Sequence, residues 1–115
     1  MAVEIKDLNY ADLVDADMVE ADLTGADLFA ANLTAASMWQ ATLTNANLED
    51  ANLDSANLTG ASLTVASLNN ATLTGADLTD ANLNNAYLTG ADLRGADLTG
   101  VKFPEGYGKL PEEDE

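Results

Sequence analysis

The sequence predicts an all-β solenoid, in which a short motif of five residues winds the chain around its own axis. Three observations support this class. Residues 11–100 divide without insertion into 18 consecutive units of five, and every unit begins with alanine. The third residue of each unit is leucine, with methionine only at Met18 and Met38. Hydrophobic residues form 47% of the 115-residue chain but aromatic residues only 5%, so the core must consist of small and aliphatic side chains.

A period of five residues fits neither an α-helix nor a flat strand. On a helix, leucines five apart would drift around the surface, and on a flat strand they would alternate between the two faces. The alanine and leucine of one unit are two residues apart, which is the spacing of one strand face. Three extended residues followed by a two-residue bend therefore keep every leucine inside. Successive turns of the chain then pair about 4.8 Å apart.

The other positions of the unit suit an outer surface and a bend. Aspartate, asparagine, serine and threonine fill most second positions, and these residues favour water and disfavour helix. The fifth position is glycine or asparagine in half of the units, and both residues tolerate a positive φ. The alanine is predicted to occupy a corner of a narrow tube that has no space for a longer side chain.

The string of A[DN]Lxx units resembles the pentapeptide-repeat protein family, strictly over residues 11–100 and loosely over about 6–105. The resemblance implies a right-handed quadrilateral parallel β-helix, with four units in each turn and the leucines along the axis. That geometry implies about five turns of 20 residues, with residues 1–105 as the β-helix domain and 106–115 as a C-terminal cap and acidic tail. Residues 20 apart are then predicted to stack, so that Trp39 lies one turn above Val19.

Apolar residues at both ends are predicted to close the solenoid, because a β-helix must cover its terminal edges. The N-terminal candidates are Met1, Val3 and Ile5. The C-terminal candidates for a lid are Val101, Phe103, Tyr107 and Leu110.

Charge and composition exclude several classes of function. The chain carries 20 acidic and 4 basic residues, a formal net charge of −16, which opposes direct binding to nucleic acid or to anionic membranes. It has no cysteine and no histidine, so disulfides, thiolate and imidazole metal ligands and histidine-based catalysis are absent. It also lacks a phosphate-binding glycine loop. We therefore expect no enzyme activity, cofactor, metal or small-molecule substrate.

The beginning of the chain bears on its location in the cell. It lacks the basic and apolar stretches of a signal peptide, and no window of the sequence reaches 18 consecutive apolar residues. We expect a cytoplasmic protein.

Five apolar side chains at outward positions are the candidates for contact with a partner protein: Trp39, Val19, Val14, Phe29 and Tyr87. A small apolar patch on a polar surface is typical of a contact site. In the alternative, the indole lies flat on its stacked neighbours and contributes only to stability, since single apolar residues are common on protein surfaces.

Two functions compete. The first is a non-enzymatic interaction module, a rigid acidic rod with an unidentified protein partner, which the resemblance to small cyanobacterial family members implies. The second is a DNA mimic that occupies a topoisomerase such as gyrase, as some members of the family do. Residues 1–103 carry a net charge of −12 over roughly 24 Å, close to the roughly 14 charges of duplex DNA of that length. The acids proposed for that role are Asp12, Asp17 and Asp22.

Two features count against the DNA mimic. The acids gather on the predicted first turn instead of running evenly along the rod. Residues 106–115, which include Pro111, cannot supply the helical dimerisation module that gyrase-directed members usually carry. We expect a monomer or a weak end-to-end association.

Overall fold

The computed structural model describes residues 7–105 as a parallel β-helix built from single bridging residues. The second residue of each unit pairs in parallel with the residue 20 positions later, from Asp7 with Asp27 to Asn82 with Lys102. Since each unit has five residues, four units complete a turn, and the tube has four sides. The predicted parallel β-helix and its 20-residue stacking are confirmed. The handedness and the count of about five turns stay predictions.

Backbone hydrogen bonds between successive turns hold each unit in register. In the unit that begins at Ala51, the N–H of Leu53 donates to the C=O of Thr72 at 2.7 Å. The N–H of Asn52 donates to the C=O of Ala31 at 2.9 Å on the other side. The same pattern repeats along the chain, so each turn is fixed by the turn before and the turn after it.

The fourth and fifth residues of each unit form a corner. The alanine of the next unit donates its N–H to the C=O of the leucine three residues before it, as Ala56 does to Leu53 at 3.0 Å, and this bond closes a β-turn. The fifth residue has a positive φ, between +57° and +75°, in all 19 corners from Tyr10 to Gly100. Glycine and asparagine predicted the bend, but the left-handed conformation extends to residues with no preference for it, such as Val65 at φ 63°.

The core is a column of leucine and alanine side chains along the axis. Every first-position and third-position residue from Ala26 to Leu83 is at most 1% exposed, and Met38 is fully buried. The predicted inward leucine and corner alanine are therefore confirmed. No polar or charged side chain of residues 7–105 is buried, because the second, fourth and fifth positions all face outward.

The core is less well covered at its two ends. Leu8, Leu13 and Met18 at one end and Val101 and Phe103 at the other are only partly buried, and all five pack against the core. The other predicted end-closing residues, Met1, Val3, Ile5, Tyr107 and Leu110, lie outside the described residues, as does the acidic tail. The domain boundary after residue 105 stays a prediction.

Candidate interaction surface

Val19 and Trp39 occupy the same corner of two successive turns. The N–H of Glu20 donates to the C=O of Trp39 at 2.8 Å, and the N–H of Gln40 donates to the C=O of Thr59 at 2.8 Å. Val19, Trp39 and Thr59 therefore stack in one column, as the spacing of 20 residues predicts. Trp39 is 39% exposed and Val19 is 42% exposed, so this column presents apolar surface to solvent.

The other three candidate contact residues do not join that column. Val14 is exposed but lies on the neighbouring corner of the same turn as Val19, because the two residues are one unit apart. Tyr87 bridges to Ser67 on a different side of the tube, near the C-terminal end. Phe29 is half-buried on a third corner. The candidates therefore do not form one patch.

Phe29 instead packs against Tyr10, an aromatic residue that the sequence argument missed. The ring centroids are 5.6 Å apart and the rings are nearly perpendicular, at 80°. Tyr10 is 69% exposed, the most exposed large hydrophobic residue described. The repeat pattern does not single out Tyr10, because its unit lacks the alanine. The stacking of turns predicts the contact between Tyr10 and Phe29, because a fifth-position residue lies beside the fourth-position residue 19 further along the chain.

The three acids proposed for a DNA mimic lie on three different sides of the first described turn. Asp12, Asp17 and Asp22 belong to consecutive units, so their side chains point in different directions around the tube. Each carboxylate accepts the backbone N–H two residues later, at 3.3 Å, 3.2 Å and 3.1 Å respectively. These acids thus form a ring around the tube and not a strip along it, and each stabilises its own corner.

Aspartate and asparagine at the second position commonly accept this local hydrogen bond. All 13 aspartates and asparagines at second positions in residues 7–105 accept the N–H two residues later. Where the second residue cannot do this, the neighbouring turn sometimes supplies the acceptor. Asp54 Oδ1 accepts the N–H of Thr74 at 2.9 Å, and Asn69 Oδ1 accepts the N–H of Thr89 at 2.9 Å. Many surface acids and amides therefore serve the fold.

Two carboxyl groups have lowered pKa values. Hydrogen bonds from the Arg94 side chain and backbone hold the pKa of Asp92 at about 2. The Thr79 hydroxyl and backbone N–H, at 2.6 Å and 3.0 Å, lower the pKa of Asp77. Both groups therefore stay charged at neutral pH. They are weaker bases than ordinary carboxylates, whereas a general base needs a pKa near the working pH.

The described part of the chain contains no group of three or more metal-binding side chains. It also contains no helix with the length and apolar content that a bilayer crossing requires. The one salt bridge within residues 7–105 joins Arg94 to Asp92, with Nη2 and Oδ2 2.7 Å apart. Besides the turn-forming acids, this surface carries exposed apolar and aromatic side chains and carboxylates outside the second positions, such as Asp50.

Comparison with known proteins identifies the repeat. A family model described as pentapeptide repeats matches residues 7–34, 26–64 and 66–103 with eight copies. A crystal structure of a pentapeptide repeat protein (Rfr23) from the cyanobacterium Cyanothece 51142 is 37% identical, with a TM-score of 0.77. The match covers 79% of this chain and 61% of that protein, so the chain spans less than two thirds of it. None of the curated proteins matches the chain.

Two further solved structures share the fold. AT2G44920, a pentapeptide repeat protein from the Arabidopsis thaliana thylakoid lumen, is 31% identical with a TM-score of 0.64. The match covers 95% of this chain and 68% of that protein. QnrB1, a plasmid-mediated fluoroquinolone resistance protein, is 23% identical with a TM-score of 0.59 over 88% of this chain and 65% of its own. At that identity, the likeness to QnrB1 shows the fold alone.

Proposed function

The chain belongs to the pentapeptide repeat family, and on that basis we propose that it is a non-enzymatic interaction module, a rigid acidic rod that binds a partner protein in the cytoplasm. The cross-turn hydrogen bonds support rigidity, because each corner is held by its neighbours on both sides. Side chains at the corners are then presented at fixed spacing, which lowers the entropy lost when a partner binds.

The observation that carries the proposal is the exposed column of Val19 and Trp39. The same corner position in the following turns holds threonine, at Thr59, Thr79 and Thr99. A threonine therefore satisfies the fold at this position, and the indole is not required there for packing. Large aromatic side chains are the residues that most often dominate binding energy at protein interfaces.

Site-specific photo-crosslinking tests this proposal. A photoreactive phenylalanine analogue replaces Trp39 in one variant and Thr99, in the same column, in the other. In extract of the source cell, we expect a discrete protein adduct from position 39 and little from position 99. Equal adducts from both positions, or none from either, would contradict the proposal.

A second variant separates binding from stability. Trp39→Thr copies the residue used elsewhere in the column, so its free energy of unfolding should stay within about 1 kcal/mol of the wild type. The crosslinked partner, captured on immobilised protein, should be lost from this variant. A larger loss of stability with unchanged capture would show that the indole serves self-packing.

The alternative function, a DNA mimic that binds a topoisomerase such as gyrase, is supported by the net charge of −12 over residues 1–103. It is weakened by the ring of Asp12, Asp17 and Asp22, because a DNA-binding groove contacts charges along one side of a duplex. We expect no inhibition of gyrase supercoiling. Inhibition that disappears when these three aspartates are changed to asparagine together would reverse this ranking.

A further inference from the structure

An aromatic pair and two carboxylates meet on one corner of the tube, at Tyr10, Phe29, Glu49 and Asp50. The N–H of Tyr10 donates to the C=O of Phe29 at 2.8 Å, and the N–H of Ala30 donates to the C=O of Glu49 at 2.9 Å. These bonds join three successive turns at the same corner. The four residues, called here the aromatic–acidic corner, therefore stack over about 10 Å along the tube, at about 4.8 Å a turn.

The rings of this corner keep open surface. In a nearly perpendicular pair, the ring that contributes its edge has both of its faces clear of its partner. Tyr10 is 69% exposed, and its ring is held by a residue of the next turn. The corner thus offers a π-face in a defined position without the cost of ordering a free side chain.

The stretch of chain that forms this corner contains no cationic side chain, since there is no lysine or arginine from residue 7 to residue 93. Glu49 Oε2 accepts the hydroxyl of Ser67 at 3.1 Å. Asp50 is exposed at a φ of 60°, and within residues 7–105 its carboxylate has neither a hydrogen bond nor an ion pair. Residues 7–93 therefore supply no positive charge of their own to complement this corner.

We propose that the aromatic–acidic corner binds an arginine side chain within an exposed segment of a partner protein. A guanidinium group is planar and weakly hydrated, so it stacks on an aromatic face and pairs with a carboxylate at the same time. Lysine carries a compact and strongly hydrated charge, which suits such a site less well. This proposal rests on the proposed function as an interaction module, and it adds a second contact on a different corner from Trp39.

Titration with defined peptides tests the proposal. The probe is an eight-residue peptide that alternates arginine with leucine, and the controls replace every arginine with lysine or with glutamine. In ¹⁵N–¹H NMR spectra of the full chain, we expect shifts concentrated on the units of Tyr10, Phe29 and Asp50. Affinity should decrease from the arginine peptide to the lysine peptide, and the glutamine peptide should produce no shifts.

Matched variants separate the site from general charge attraction. Asp50→Asn should weaken binding of the arginine peptide by about fivefold, whereas Asp80→Asn, at the same repeat position and also exposed, should change it by less than twofold. Tyr10→Asn, a residue that other fifth positions already use, should weaken binding similarly. Its control is Tyr87→Asn, which removes an exposed tyrosine that has no aromatic partner in the described range.

Three outcomes would overturn the proposal: no shifts with the arginine peptide, shifts centred on the units of Asp12, Asp17 and Asp22, or an equal loss from Asp50→Asn and Asp80→Asn. The proposed function is tested separately by crosslinking at position 39. An adduct at position 39 without peptide binding would reject this corner and keep the interaction module. Peptide binding without an adduct would keep this corner and reject the column of Val19 and Trp39 as the contact site.

Discussion

Leu53→Ala tests the axial core where it is most completely enclosed. Leu53 is fully buried, as are Leu33 and Leu73, the residues of the same column one turn before and one turn after it. The substitution removes three carbon atoms, which corresponds to about 2.4 kcal/mol of lost burial at roughly 0.8 kcal/mol each. A further cost depends on how far the surroundings collapse into the cavity.

Collapse is restricted at this position. Backbone hydrogen bonds fix the spacing of the turns on both sides. The N–H of Leu33 donates to the C=O of Asn52 and the N–H of Leu53 donates to the C=O of Thr72, each at 2.7 Å. The cavity should therefore persist, and we expect a total loss of about 4 kcal/mol in the free energy of unfolding. The matched control is Leu13→Ala, in the same column at the partly exposed end, with an expected loss of about 1–2 kcal/mol.

Urea unfolding followed by far-UV circular dichroism measures both changes. The slope of the free energy against urea must be compared between variants, because repeat proteins can unfold in parts when a central interface is weakened. An unchanged slope with a shifted midpoint would give the loss directly. A cost below about 1 kcal/mol for Leu53→Ala, or an equal cost for Leu13→Ala, would refute the enclosed axial core.

Three further predictions concern the corners and the surface. Ala56→Leu should cost about 1–3 kcal/mol in urea unfolding, because the fully buried corner has no space for a longer side chain, and a neutral result would contradict this packing. Gly25→Ala should lower the free energy of unfolding by about 1 kcal/mol, through the positive φ alone. Gly90→Ala should cost about 0.5–1.5 kcal/mol more, because the new Cβ meets Asn70 Oδ1. In a double-mutant cycle, Asn70→Gly should remove this difference. The lowered pKa of Asp77 predicts a pH-dependent difference in stability between the wild type and Asp77→Asn. The advantage of the wild type should be full above about pH 5 and decline as the pH falls below about 4, because protonation weakens the hydrogen bonds that favour the charged form. Urea midpoints of the wild type and Asp77→Asn, measured from pH 2.5 to 7, test this prediction, and a stability advantage independent of pH would contradict it.

Most of the fold could be predicted from the repeat itself. An unbroken phase over residues 11–100 allows only one choice of inward positions, so Met38 was expected inside and Trp39 outside, as the structure has them. The stacking of Trp39 on Val19 followed from the same register. Less of the candidate site could be predicted: the register places Val14 on the side next to Val19, as observed, but it does not show that Phe29 packs against Tyr10 on another corner.

The register follows from the sequence alone, because only one phase of the repeat buries the first-position alanines and third-position leucines together. Which outward residues meet is settled by the folded chain, since contacts across turns depend on side-chain conformations that the repeat does not specify. It paired Tyr10 with Phe29 and provided an acceptor from Asp54 for the N–H of Thr74. It also held Val65 in a left-handed conformation that its own preference opposes, because the hydrogen bonds of the adjoining turns outweigh the local strain of one residue.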